Sequence, residues 1–302
     1  MDQLNVPNWL RIVLSILTVI SFLPQLHAIW RRGSSAGVSV YYVLLNLIWA
    51  TEQFTLFFFL LINDTEGAGR IVYEPPTTGD WLNLVQALIL ALMFFLLWVQ
   101  TGQTSRPTHL LMASSLPSLS TVLYYSPSDL ARIKTPALVI YTGFLLISII
   151  PLLLDLVLGD ARVSNPPPER VWLLTFFSIP HALIINPVTT LLCFLSLFPQ
   201  ATLVIKRQPS PTLSLLGLAI QSVAFVLVGL SWLCRLNFAS PESTFLGWYI
   251  VFGWPAVDNL LFATVQATLL CLAMHRRRGL GVAPEPESES DDQPDEAAPL
   301  LG

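Results

Sequence analysis

Residues 20–32 read Ile-Ser-Phe-Leu-Pro-Gln-Leu-His-Ala-Ile-Trp-Arg-Arg, and residues 195–207 read Leu-Ser-Leu-Phe-Pro-Gln-Ala-Thr-Leu-Val-Ile-Lys-Arg. Each stretch holds a Pro-Gln pair inside an apolar run and closes on two adjacent basic residues. The offset is 175 residues, and one ungapped register extends past both stretches: Ser35 falls on Ser210, Ser39 on Ser214, Asn46 on Gln221 and Asn83 on Asp258. A register kept over that length reads as two copies of one structural unit.

Working outward, the 302-residue chain is 54% hydrophobic and only 11% charged, with mean hydropathy +0.65. Soluble domains carry about 25% charged residues. The deficit sits in apolar runs, each near the roughly 20 residues that cross a bilayer as helix. Backbone groups find no water there, so only helices or a closed barrel can span. Strand-period alternation is absent and the runs exceed barrel strands, which leaves helices. Seven spans are expected near 9–30, 39–62, 81–101, 137–158, 181–206, 213–236 and 247–274. The stretch 108–125 is apolar but short, Ser-rich and broken by Pro117, and is read as interfacial or re-entrant. The first run has only Arg11 before it and no small-residue cleavage site, as in a retained helix.

Basic residues fix the orientation. With seven spans, Arg31, Arg32, Arg106, Arg132, Lys134, Lys206, Arg207, Arg276, Arg277 and Arg278 all fall on one side. The other side holds Arg70, Arg162, Arg170 and Arg235 among Asp64, Glu66, Glu74, Asp80, Asp160, Glu169 and Glu242. The N-terminus is therefore expected lumenal and the C-terminus cytosolic. Asn63-Asp64-Thr65 is a glycosylation sequon on the lumenal side, next to the membrane.

Each copy has three helices and one helix separates them, so both copies enter the membrane in the same direction. Such parallel repeats are related by an axis along the membrane normal and occur among transporters. The division is a first three-helix repeat over 1–101, a cytosolic segment and linker helix over 102–180, a second repeat over 181–275 and an acidic, disordered cytosolic tail over 276–302. Pro24 and Pro199 each remove a backbone hydrogen bond inside a helix, which makes the pairs Pro24-Gln25 and Pro199-Gln200 candidate hinges. Gln25 and Gln200 are expected to satisfy the freed backbone groups locally.

Ser21-Phe22-Leu23-Pro24-Gln25, then Trp30-Arg31-Arg32, Ser34, Gly37, Ser39 and Leu45-Asn46-Leu47 resemble the first PQ-loop of the cystinosin-like family. Leu197-Phe198-Pro199-Gln200-Ala201 with Lys206-Arg207 and Ser214 resembles the second. The resemblance implies seven helices, a lumenal N-terminus, a vacuolar or lysosomal membrane, and proton-coupled export of an amino acid of the cystine or cationic type. It also implies that Asp258 corresponds to the family's aspartate in the last helix.

Ionisable groups inside a membrane are costly and are functional candidates by default. Asp258 lies well inside the seventh span and is a candidate for proton or substrate binding, or for a structural bond to a neighbouring helix. Glu52 lies near the middle of the second span opposite apolar Leu227 in the repeat, which suits recruitment for one proton or substrate group, or a structural partner. Asn46 and Gln221, equivalent in the two copies, line the pathway or join helices. Asn83, equivalent to Asp258, is a further pathway candidate. His181 is placed at the start of the fifth span and His27 just past the first Pro-Gln pair, both in interfacial positions; Asp155 is expected to reach solvent. Cys193, Cys234 and Cys271 fall inside apolar runs without CxxC spacing and read as buried small hydrophobes.

No HExxH, P-loop, GxSxG or Cys-His metal spacing occurs, so a catalytic, cofactor or metal reading has no constellation, and nothing suggests a nucleic-acid partner. The expected partners are a small-molecule substrate, protons and membrane lipid. The tail ends in Glu296-Ala297-Ala298-Pro299-Leu300-Leu301, an acidic dileucine pattern in which Glu296, Leu300 and Leu301 would engage a clathrin adaptor. Two other readings remain open. A SWEET-like sugar carrier shares the three-helix repeat, and a seven-helix receptor or nutrient sensor shares the helix count but needs no repeat.

Overall fold

The computed structural model describes residues 6–33, 35, 37–63, 71–73, 75–102, 128–158, 168–206, 213–235 and 244–280; most of these are helical and none is in a strand. Seven helices among them are long and apolar enough to cross a membrane. The chain is an all-α integral membrane protein. The segment 108–125, Asp64 and Thr65 of the sequon, and the tail from 281 lie outside the described residues.

Helix α1 is Asn8–Arg32 and α2 runs over Val40–Asn63, its last turn, Phe59–Asn63, being π-helical. Helix α3 is Thr78–Gly102, and α4 comprises Ser128–Ser148 and Ile150–Leu158. Helix α5 begins at Pro168 and passes through a π turn at His181–Ile185 to Leu195, then resumes over Leu197–Lys206. Helix α6 is Leu215–Arg235. Helix α7 enters at Phe245, passes a π turn at Tyr249–Gly253 and continues over Trp254–Leu280.

Local chemistry sets these ends. Gly33, at φ 58, takes the left-handed position that stops α1, and its N–H closes on Trp30 O. At the head of α3, Asp80 Oδ2 accepts from the Thr77 N–H at 2.8 Å, while the Asp80 N–H reaches Thr77 Oγ1 at 3.3 Å. That reciprocal pair is a capping box. The π turns in α5 and α7 share a cause. Pro187 and Pro255 have no N–H for the normal ladder, and the residue before each bonds five back instead: Asn186 N to His181 O and Trp254 N to Tyr249 O. One extra residue is thereby accommodated, turning the following helical face.

Within the first repeat α3 packs against both α1 and α2; within the second, α7 packs against both α5 and α6. Between the repeats α1 meets α6 and α2 meets α5, contacts that the two-fold relation exchanges. Helix α4 lies outside, against α2. The outward faces are apolar, for example Ile12, Ile16 and Ile20 on α1 and Val139, Ile140 and Ile147 on α4, all exposed. Cys193 is buried, but Cys234 and Cys271 are exposed, contrary to the sequence expectation, because they fall on outward faces of α6 and α7.

Candidate functional site

Both Pro-Gln glutamines reach across to the opposite repeat. Gln200 Oε1 accepts from the Ser39 N–H at 2.8 Å and its Nε2 donates to Gly37 O at 2.9 Å. Gln25 Oε1 accepts from the Ser214 N–H at 2.9 Å. Each glutamine therefore caps the helix that follows the loop of the opposite repeat, beside any bond within its own repeat: the N–H groups of Ser39 and Ser214, just before α2 and α6, have no intrahelical acceptor and lie within reach across the interface. The prolines differ. Pro24 sits inside a continuous α1, whereas α5 is interrupted at Ser196, three residues before Pro199.

Beyond the glutamines lies a layer of aromatic rings. Trp49 stacks on Phe262 at 5.1 Å between centroids, and Phe94 and Phe225 meet Phe262 edge-on at 5.6 and 4.6 Å. Phe22, next along α1 from the Pro-Gln pair, meets Phe94 edge-on at 4.9 Å. These rings come from α1, α2, α3, α6 and α7, so the layer blocks the centre of the bundle on its Pro-Gln side.

One turn before Phe262, Asp258 is fully buried. Its Oδ2 accepts from Trp49 Nε1 at 3.1 Å and Gln53 Nε2 at 3.2 Å, and its Oδ1 lies 2.6 Å from Thr190 Oγ1. Thr190 Oγ1 also lies 3.0 Å from Asn186 O and 2.6 Å from the Tyr249 hydroxyl. A threonine hydroxyl has one proton and two acceptor pairs. It donates to an ionised Asp258, or turns to Asn186 O and accepts from a protonated one. Both protonation states of the carboxyl are thus satisfied without moving a helix, and among the described residues no cation lies within ion-pair distance of it.

Glu52, next to Gln53 on α2, is fully buried and faces α5, where His181 Nδ1 lies 2.7 Å from its Oε1. Phe177 stacks on the imidazole at 4.0 Å. Glu52 Oε2 and both polar side-chain atoms of Asn186 are buried without partners. His181 is 2% exposed and thirteen residues into α5, not interfacial. The sequence reading started this helix at His181, but the helix already runs from Pro168 through Pro180. The Glu52 pairing marked His181 only once α2 and α5 were in contact; the sequence signal was a histidine in an apolar run.

Of the other pathway candidates, Asn46 donates to Tyr42 O and to Ser196 Oγ at 2.8 and 2.9 Å, joining α2 to α5. Gln221 is buried on α6. Asn83 does not join Asp258; its Oδ1 accepts from Arg11 at 3.0 Å and Arg235 at 2.6 Å. Tyr42 and Gln266, the latter adjacent to the candidates but not singled out, bond each other between α2 and α7. Asp155 is 4% exposed, correcting the expectation of solvent contact: Arg170 binds it through two nitrogens at 2.8 and 3.2 Å, and Asn63 donates to it at 2.7 Å. A cavity of about 20 Å³ between the repeats is lined by Gln53, Asn83, Gln86 and Asn259 with Trp232 and Phe225 among its apolar walls. His27 is exposed near the cytosol-facing Arg31 and Arg32 of the sequence reading.

Two equivalent three-helix bundles joined by α4, cross-capped at one end and holding buried acids at their interface, define a two-repeat membrane protein of seven helices with its polar chemistry at the centre. A family model described as PQ loop repeat matches residues 6–65, which identifies α1 and α2 as a PQ-loop repeat. No curated protein and no solved structure matches the chain significantly. The family match points to membrane transport as the class of function.

Proposed function

We propose that this chain exports an amino acid of the cystine or cationic type from the vacuolar or lysosomal lumen to the cytosol, coupled to protons, by alternating access. The observation that carries the reading is Asp258, sealed on α7 and held by α2 and α5 through Trp49, Gln53 and Thr190. A buried carboxyl at the junction of two repeats, with a hydroxyl that serves both of its protonation states, suits a proton site whose state changes how the repeats pack. Glu52 with His181 is a second proton-binding pair one residue from Gln53. On this reading Gln25–Ser214, Gln200–Ser39 and the aromatic layer form the cytosolic gate, and Asn46 and Gln221 join or line the moving helices. Arg276, Arg277 and Arg278 after α7 and the lumenal acids support the orientation, and Glu296, Leu300 and Leu301 support delivery through a clathrin adaptor.

The test uses cells expressing a Leu300→Ala/Leu301→Ala variant at the surface, so that the lumenal face meets the medium. Acidic medium is expected to drive inward currents with cystine, lysine or arginine and none with neutral sugars. Asp258→Asn, at equal surface level, is expected to abolish proton-driven current. Substrate movement indifferent to a pH gradient would sink proton coupling, and sugar movement would favour the carrier alternative.

A further inference from the structure

Two guanidinium groups converge on Asn83, a residue of the inter-repeat cavity wall. Arg11, on the first turns of α1, is 6% exposed. It donates through Nε to Val6 O at 3.3 Å and through Nη1 to Gly79 O at 2.7 Å and Asn83 Oδ1 at 3.0 Å. Arg235, at the end of α6, donates through Nη1 to the same Asn83 oxygen at 2.6 Å and through Nη2 to Ser231 Oγ at 3.0 Å. It lies 4.5 Å from the centre of the Trp232 ring. These hydrogen-bond partners are neutral. Among the described residues no carboxylate lies within 4.0 Å of either guanidinium. Asp80 acts on Arg11 only at longer range, its Oδ2 being taken by Thr77 and Tyr73.

Two like charges sharing one neutral acceptor, one arginine buried and the other partly buried, are unfavourable without an anion. The position is nevertheless built. Gly79 has no side chain where a Cβ would come within 2.7 Å of Arg11 Nη1, so the arginine lies against the head of α3. Arg235 Nε is buried with no acceptor. Asn83 and Trp232, which the arginines touch, line the cavity, and so does Gln86, 6% exposed, whose amide oxygen and nitrogen are both unpartnered. A guanidinium donor without an acceptor, beside an amide whose two polar atoms are unpartnered, describes a site for a small zwitterion.

We propose that Arg11 and Arg235 bind the carboxylate of an amino-acid substrate, which displaces the Asn83 oxygen as their shared acceptor while Gln86 meets the ammonium group. This rests on the amino-acid transport reading for the identity of the substrate, but not for the existence of the anion site. Planar guanidinium forks match carboxylate geometry. The cavity, at about 20 Å³, has room for about one water, so the repeats part to admit the ligand. Asp258 is linked to the same cavity through Gln53, placing carboxylate recognition and the proton site on opposite sides of one small space.

The test uses the full chain in phosphatidylcholine nanodiscs. L-Arginine, L-lysine and L-cystine are compared with agmatine, cadaverine and cystamine, which keep the side-chain chemistry and lack the carboxylate. At least one amino acid is expected to bind about 30-fold more tightly than its decarboxylated counterpart, and Arg235→Gln is expected to reduce that ratio to near one. An amine that binds as well as its amino acid, or a ratio that survives Arg235→Gln, overturns the proposal. Asn83→Asp supplies a fixed carboxylate between the guanidiniums and is expected to raise Tm above wild type while abolishing amino-acid binding; an unchanged or lower Tm overturns the anion site. If none of the three amino acids binds, the substrate reading falls and the Asn83→Asp Tm alone decides the anion site. In discs containing phosphatidylglycerol, lipid-dependent stabilisation lost in Arg235→Gln, without preference for amino acid over amine, assigns the site to lipid and overturns the substrate assignment.

Discussion

Gln25 of the first repeat accepts a 2.9 Å hydrogen bond from the backbone of Ser214 in the second, and the residues 175 positions away, Gln200 and Ser39, form the reciprocal bond at 2.8 Å. A side-chain acceptor at a helix start is worth about 1 kcal/mol, and here both acceptors also cross the repeat interface. Gln25→Ala and Gln200→Ala are expected to cost about 1 kcal/mol each, in comparable amounts, read as lower Tm of the purified chain in nanodiscs. A large loss from one and none from the other would break the two-fold equivalence.

Thr190 separates a proton site from a merely polar one. Thr190→Ser keeps the hydroxyl that serves Asp258 and Asn186 O and is expected to transport near the wild-type rate. Thr190→Val keeps the volume but leaves Asp258 Oδ1 without that partner. A hydrogen bond to a charged group is worth about 1.5–3 kcal/mol, so proton-driven flux is expected to fall by about tenfold or more. Equal flux in both variants, measured with surface level controlled, would remove Thr190 from the pathway.

The sequence made Asp258 and Glu52 legible because a charge in an apolar span stands out against its surroundings. It also made the repeat legible, since Pro24-Gln25 and Pro199-Gln200 keep one register. The targets of those glutamines were not legible: a cap on the opposite repeat depends on which loops meet, and that follows from the packing of α1 on α6 and of α2 on α5. His181 was placed at a helix start because the apolar span was begun there, yet α5 runs from Pro168 through Pro180 and then widens into a π turn ahead of Pro187. Arg11 and Arg235 read separately as helix-end charges; only the packing of α1, α3 and α6 brings both to Asn83.

Asn63 answers whether the sequon is used. Its Nδ2, the atom that would carry a glycan, donates to Asp155 Oδ2 at 2.7 Å and Leu152 O at 3.3 Å, and the residue is 1% exposed. The folded chain from a eukaryotic host is expected to keep its mobility on endoglycosidase treatment. A mobility shift lost in Asn63→Gln would contradict the packing of α2 against α4.

The same cluster predicts an asymmetric response to charge removal. Arg170 and Asp155 are paired with side-chain exposures of 7% and 3%. Removing one partner of a buried pair strands the other and costs about 3–5 kcal/mol, while replacing both with apolar residues is often neutral. Arg170→Met is expected to lower stability by about 3 kcal/mol, near the low end because the pair sits at helix ends. Arg170→Met with Asp155→Leu is expected to recover most of that loss, read by thermal unfolding in detergent. Additive losses would place the pair in water.

Gly229 tests the packing that joins α6 to α7. A Cβ there would come within 2.6 Å of Leu260 Cγ and 3.2 Å of Ala256 O, whereas one at Gly143 on α4 meets nothing within 4 Å. Small residues let membrane helices approach closely, and the neighbour at Gly229 includes a backbone atom that cannot rotate away. Ala256 lies two residues before Asp258, so parting these helices also shifts the carboxyl relative to Trp49 and Gln53. Gly229→Leu is expected to cost about 1–3 kcal/mol, the usual range for overpacking, and to impair proton-driven flux. Gly143→Leu is expected to leave both unchanged. Because both substitutions add the same side chain to a membrane helix, equal effects would mean that insertion or expression, rather than the α6–α7 contact, sets the outcome.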